Sequence, residues 1–156
     1  MIMKITSRAG DYALLLVMYL ARLAVEETTS IKKVTEALKL SNRFLANIAN
    51  KLSIARIVVS HRGIGGGIKL ARPASQIKIR EVIEAVEGPI QTMFCQNTLE
   101  MCGLEAACTM KHFWNDLQDL VMNKLTTTTV EDLIKHHGAS PAFGPYKSSP
   151  HEITMV

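Results

Sequence analysis

From Asp11 to about Ala24 the chain is apolar on nearly every helical face, and such a helix is buried between other elements rather than laid on a surface. Residues 4–8 lead into it, with Thr6 or Ser7 as the N-cap. The polar stretch Glu26 to Ser30 ends it, and Thr29 or Ser30 caps a short second helix. That helix places Ile31, Val34 and Leu38 on one side and Lys32, Lys33 and Glu36 on the other, an i, i+3, i+7 stripe. Leu40-Ser41 is the turn into a third helix, roughly Asn42 to Ser53. Its inward positions are Phe44, Leu45, Ile48 and Leu52; Asn42, Arg43, Asn47, Asn50 and Lys51 lie mostly opposite.

The pattern then changes. Ile57-Val58-Val59 reads as a strand, Gly63 to Gly67 as a turn, and Ile68-Lys69-Leu70 as the returning strand of a hairpin. Three helices followed by a hairpin predict a winged helix-turn-helix, with the third helix as reader and the hairpin as wing. Pro73-Ala74-Ser75 closes the unit, Ile79 to Glu87 is a further short helix, and Gly88-Pro89 breaks the chain. Met110 to Leu125 is an amphipathic helix of four turns, and Thr129 to His136 a short capped one. The expected fold is mainly α with a small β-hairpin: a winged helix-turn-helix plus a long C-terminal dimerisation helix. Its parts would be a DNA-binding module (1–88), a cysteine loop (89–109), the dimer helix with the short terminal helix (110–137), and a flexible tail (138–156).

Composition adds a compartment and a charge asymmetry. The chain has 156 residues, 47% hydrophobic and 21% charged, ordinary for a soluble domain. Its longest apolar run, Tyr12 to Ala21, is about half of the roughly 20 residues that a membrane span needs. With no signal-peptide pattern, a cytoplasmic protein is expected, and no membrane partner. Residues 1–87 carry 14 Lys+Arg against 7 Asp+Glu, whereas residues 88–156 carry 4 against 7. The basic half is the one to meet a polyanion.

Its polar groups sit where a winged helix needs them. Asn42, Arg43 and Asn47 occupy the first turns of the third helix, the part that enters a major groove. There Arg bonds guanine O6/N7 and Asn bonds adenine N6/N7. His61 and Arg62 precede four glycines in five positions, and an Arg on a tight glycine turn suits a narrow minor groove. Lys69, Lys51, Lys32 and Lys33 are candidates for salt-dependent phosphate contacts. Each residue alone is equally well explained as part of a solvated face; the set points to double-stranded DNA. The glycines are not a phosphate-cradling loop, because neither Lys-Ser/Thr nor a helix follows them.

All three cysteines, Cys95, Cys102 and Cys108, lie within fourteen residues, spaced C-x6-C-x5-C. An odd count in a reducing compartment favours metal or redox chemistry over a disulfide scaffold. Closed zinc sites use tighter Cys pairs, and these wider spacings fit an iron–sulfur cluster whose fourth ligand lies elsewhere. A regulatory disulfide, or a buried Cys95 beside Phe94, is the alternative. No nucleophile–base pair or carboxylate dyad stands out, so no enzyme is expected.

The segments Ile5-Thr6-Ser7-Arg8-Ala9-Gly10-Asp11-Tyr12-Ala13, Arg62-Gly63-Ile64-Gly65-Gly66-Gly67 and Val82-Ile83-Glu84-Ala85-Val86-Glu87-Gly88 resemble the IscR/NsrR-type regulators. So do the three cysteines, Trp114 six residues after Cys108, and Thr128-Thr129-Val130-Glu131-Asp132-Leu133. The resemblance spans about residues 3 to 135. It implies a homodimeric bacterial transcription regulator that binds a [2Fe–2S] or [4Fe–4S] cluster through the cysteines.

The fourth ligand differs between branches of that family. The assembly-repressor branch uses a His three residues after the third cysteine; here that position is Lys111, and His112 comes one residue late. The nitric-oxide-sensing branch uses an Asp from the other subunit's first helix, near which Asp11 falls after a one-residue insertion. Acids in a first helical turn are also favoured by the helix dipole alone. The first spacing, C-x6-C, departs from the commoner x5. The expectation is a DNA-binding homodimer, most simply a repressor, whose operator affinity follows a cluster responding to nitric oxide, redox state or iron supply. Rivals are a clusterless regulator of the same fold, switched by cysteine oxidation or a protein partner, and a small iron–sulfur electron carrier.

Overall fold

The computed structural model describes residues 6–24, 27–61, 63, 66–92 and 108–136. Cys95, Cys102, Arg62 and the expected tail lie outside them. In order, the elements are α1 (Arg8–Leu20), α2 (Ile31–Leu38), α3 (Asn42–Ile54), β1 (Val58–His61), β2 (Gly67–Leu70), α4 (Ile79–Glu87), α5 (Met110–Thr127) and α6 (Val130–His136). A 3-10 turn, Ala74–Gln76, precedes α4. The winged helix-turn-helix with a long helix after it is therefore present.

The first helix begins earlier and ends sooner than its apolar run suggests. Ser7 is its N-cap, the Oγ accepting the Ala9 N–H at 3.0 Å. After Leu20 the chain unwinds into tight turns, Arg22 N–H to Tyr19 O and Leu23 N–H to Leu20 O. The fully buried stripe is Ala13, Leu16, Val17 and Leu20; Tyr12, Leu14, Met18 and Tyr19 are half-buried. α1 packs against α3, α4, α6 and β2, which is why so much of its surface is apolar.

Ser30 caps α2, its Oγ accepting the Lys33 N–H at 3.1 Å. Lys39 ends the helix in the left-handed region (φ 53°), which lets the chain turn sharply into α3. α3 buries Leu45, Ile48, Ala49 and Leu52. Phe44, expected inward, is instead 37% exposed and rests edge-on against Tyr12.

β1 and β2 pair antiparallel, Val58 opposite Leu70 and His61 opposite Gly67. The hairpin has a third participant: Thr29 exchanges both backbone hydrogen bonds with Ile68, at 3.0 and 2.8 Å. Gly67 permits that approach, since a Cβ there would lie 2.5 Å from the Thr29 carbonyl oxygen. The wing is thus pinned on β2, at the residue next to its turn end, to Thr29 just before α2.

α6 returns to the same core. Ile79 N–H donates to Thr128 O and Val130 N–H to Ile77 O, so the end of α5 pairs with the start of α4. Val130 is fully buried on α6, which packs against α1 and the 3-10 turn, with Leu125, Leu133 and Ile134 packed on the same core. α5 differs in kind: none of its residues is buried, and Met110, Phe113 and Leu120 are each more than 60% exposed. No described helix is long and apolar enough to cross a membrane.

Candidate DNA interface and cysteine segment

The exposed face of α3 follows from what the helix buries. With Leu45, Ile48, Ala49 and Leu52 turned inward, Asn42, Arg43 and Asn47 are left exposed on the first two turns. Lys32 and Lys33 are exposed on the first turn of α2. At the wing, His61 is exposed at the end of β1, and Gly63 (φ 110°) holds a tight turn in which Gly66 N–H donates to Gly63 O at 2.9 Å. That backbone conformation favours glycine. Lys69 is half-buried on β2, opposite Val59.

Lys51 is placed differently from its expected role. It sits nine residues after Asn42, roughly 13 Å along the helix axis. Its Nζ donates to the Val86 carbonyl at 2.8 Å, at the C-terminal end of α4. An ammonium is a natural partner for such a carbonyl, because the last C=O groups of a helix have no partner within it. Lys51 therefore joins the far end of α3 to α4, away from Asn42 and Arg43.

Sequence patterns missed Thr35. It is 4% exposed on α2, and its hydroxyl lies 2.6 Å from Asn42 Oδ1 and 2.8 Å from Lys32 O. The only signal was a hydroxyl residue beside the apolar stripe, next to Val34. Glu87 was also missed, because its partners are backbone groups: Oε1 accepts the N–H groups of Ser7 and Gly10.

Asp11 is exposed in the first turn of α1, its Oδ1 accepting the Thr6 hydroxyl at 2.7 Å. Cys108 is a free, half-buried thiol two residues before α5, its carbonyl accepting the Lys111 N–H. His112 is exposed on the first turn of α5. Among the described residues no three His, Cys, Asp or Glu side chains come together as for a metal ion.

Residues 90–92, just before the segment that carries Cys95 and Cys102, are strapped to α5. Gln118 Nε2 donates to Ile90 O at 2.8 Å and its Oε1 accepts Thr92 N–H at 2.9 Å. The Thr92 hydroxyl lies 3.5 Å from Trp114 O. The chain thus leaves for residues 93–107 beside the α5 turn holding Trp114 and Gln118, and returns at Cys108 immediately before the same helix. Cys95 is three residues beyond Thr92, a reach of at most roughly 11 Å. Gln118 escaped notice because it borders the apolar stripe at Leu117 and reads as solvated.

A family model described as an iron-dependent transcriptional regulator, Rrf2, matches residues 6–136. The chain belongs to the Rrf2 family. It is 33% identical over 127 residues to the HTH-type transcriptional regulator NsrR of Oceanobacillus iheyensis, covering 81% of this chain and 86% of that one. Among solved structures it is similar to CymR, the global cysteine regulator of B. subtilis. That likeness has a TM-score of 0.71 and 30% identity, over 86% of this chain and 98% of that one. It is likewise similar to T. potens IscR, with a TM-score of 0.68 and 27% identity over 86% and 88% of the two chains.

An Rrf2 protein is a transcriptional regulator rather than an enzyme, and DNA binding follows from that membership.

Proposed function

We propose that this Rrf2 regulator is a homodimer whose operator affinity is set by an iron–sulfur cluster held by Cys95, Cys102 and Cys108. The observation that carries it is the strap: Gln118 and Trp114 hold the start of the cysteine segment against the helix that begins just after Cys108. The strap brings the residues before the segment to the helix that begins just after it, and a soft three-thiolate donor set suits iron–sulfur chemistry. When bound, the cluster supplies a group that reacts with nitric oxide or oxygen and is lost when iron is scarce. Asp11 of the second copy is the fourth ligand in this reading, and His112 the alternative. A carboxylate beside thiolates is a hard, exchangeable ligand, which suits a sensor.

The remaining work belongs to the chain. The exposed Met110, Phe113 and Leu120 of α5 are covered by the second copy, which sets the spacing of two winged modules on successive half-sites. The module would comprise residues 1–88, the sensing segment 89–109 and the dimer helix with α6 110–137. Arg43 and Asn47 read the major groove, Arg62 the minor groove, and Lys32, Lys33 and Lys69 the phosphates, with His61 at the wing. Movement of the cysteine segment reaches the reading helix through the end of α4, where Glu87 holds α1 and the Val86 carbonyl holds Lys51 of α3.

The test is anaerobic purification with Mössbauer and absorption spectra, followed by operator titration of cluster-loaded and apo protein at one salt concentration. Equal affinity of the two forms sinks the proposal. Asp11→Ala and His112→Ala, examined spectroscopically, decide the fourth ligand. The likeness to CymR, a cysteine regulator by name, supports a second reading in which the thiols switch without a cluster. Colourless protein whose DNA affinity changes on alkylation would establish that reading instead.

A further inference from the structure

The turn between α2 and α3 holds more than a change of direction. Thr35 carries one hydroxyl hydrogen and has two oxygens within reach, Asn42 Oδ1 at 2.6 Å and Lys32 O at 2.8 Å. One hydrogen makes one good bond. The shorter distance lies within the O–H···O range and below that of an amide N–H···O bond. An amide turned the other way, donating from Nδ2 to the hydroxyl, fits it poorly. The Lys32 carbonyl, in turn, already belongs to the α2 helical ladder. The hydroxyl hydrogen therefore goes to Asn42, whose carbonyl faces the buried Thr35 and whose NH2 group faces outward.

We infer that Thr35 is a positioning residue that makes Asn42 a donor-only reader of the major groove, a reading that rests on α3 being the DNA-reading helix. With its carbonyl turned back, Asn42 does not form the two-bond pair with adenine, which requires Oδ1 to accept from N6. Its NH2 group bonds acceptors: guanine O6 and N7, adenine N7, thymine O4. Cytosine, which presents an N4 donor at that edge, is the base it rejects. The adenine pairing expected for Asn at this position is replaced by exclusion of cytosine.

The experiment titrates full-length protein against operators carrying each of the four base pairs at every position, at fixed salt. Asn42→Ala locates the position that Asn42 reads. In Thr35→Val the amide is free to turn, and the penalty against cytosine there falls about 2- to 10-fold, the worth of one neutral hydrogen bond. Other positions keep their preferences, and Thr35→Ser restores the wild-type profile. A second variant does not depend on Thr35→Val folding. In Asn42→Asp one carboxylate oxygen accepts the Thr35 hydroxyl and the other faces outward, so the preference at that position turns toward cytosine. In the free protein the Asn42 side-chain amide signals move in Thr35→Val and stay in place in Thr35→Ser.

An unchanged profile in Thr35→Val, equal weakening at every position, or no turn toward cytosine in Asn42→Asp overturns the inference. Wild-type protein that selects no duplex overturns the DNA reading and this inference together. Amide signals that stand still in Thr35→Val overturn the inference alone.

Discussion

Glu87 Oε1 accepts the backbone N–H of Gly10 at 2.9 Å, and Gly10 leaves it the room, because a Cβ at that position would collide with the same oxygen. The carboxylate also takes the Ser7 N–H at 2.8 Å, so it serves donors that the start of α1 leaves without helical partners. In an ordinary helix, glycine to alanine is stabilising by roughly 0.5–1 kcal/mol. Here the sign inverts. Gly10→Ala displaces Glu87, and we expect it to destabilise by about 1–3 kcal/mol in denaturant unfolding. Glu87→Gln, which keeps an acceptor oxygen, should lose less. A Gly10→Ala protein as stable as wild type would remove the contact from the account.

Lys39 adopts φ 53° at the end of α2, a conformation that is unfavourable for any residue with a Cβ. Lys39→Gly removes that strain but adds backbone freedom to the unfolded chain, and we expect a net gain of about 0.5–1 kcal/mol. Thermal unfolding checks it: the midpoint should rise, and a fall would show that the Lys39 side chain contributes more than its backbone costs.

α4 was legible to both ends, since its Ile79, Val82, Ile83 and Val86 stripe is compact and Gly88 follows directly. α1 was legible as buried but not in its limits. Arg8-Ala9-Gly10 carries no apolar signal, and the apolar residues past Leu20 continue after the helix has unwound. The deep burial of Val130 was invisible, because it depends on backbone pairing between Ile77 and Val130, far apart in sequence. The site divided in the same way. The exposed face of α3 follows from periodicity, whereas Lys51, Thr35, Glu87 and Gln118 are defined by partners that no local pattern announces.

Arg43 and Lys32 should respond differently to truncation. Arg43 is exposed on the first turn of α3, the helix proposed to read the operator, so Arg43→Ala should lose about 1–3 kcal/mol at one operator position and flatten the preference there. Lys32 is exposed on α2 and is proposed to meet phosphate; Lys32→Ala should weaken all sequences alike and reduce the salt slope by roughly one. Titration over a salt series separates the two, and a uniform loss in Arg43→Ala would make it a phosphate contact.

Asp132 gives the C-terminal docking a pH dependence. The Thr129 hydroxyl donates to its Oδ2 at 2.7 Å and the Thr129 N–H at 2.8 Å, and these bonds hold its carboxyl below the ordinary value of 3.8. A depressed carboxylate contributes stability above the unfolded value, and that contribution is lost as pH falls through the folded one. Asp132→Asn should therefore be less stable than wild type near neutral pH, and the gap should close as pH drops below about 4. A gap that persists unchanged into acid would assign the effect to the cap's shape rather than its charge.

Gln118 spends both ends of its amide on the backbone that leads into the cysteine segment, Nε2 on Ile90 O and Oε1 on Thr92 N–H. Gln118→Ala strands both groups, a local cost of about 1–3 kcal/mol. α5 itself should persist, because alanine favours helix and Gln118 is only half-buried. The expected result is a modest fall in the global unfolding midpoint and, in the cluster-loaded form proposed above, a clear rise in the rate at which cluster absorbance decays under a chelator. Gln118→Glu keeps the acceptor for Thr92 but places a carboxylate against the Ile90 carbonyl, and should fall on the same side of wild type. If the midpoint drops while the decay rate stays at the wild-type value, the strap supports the fold and has no part in holding the sensing segment closed.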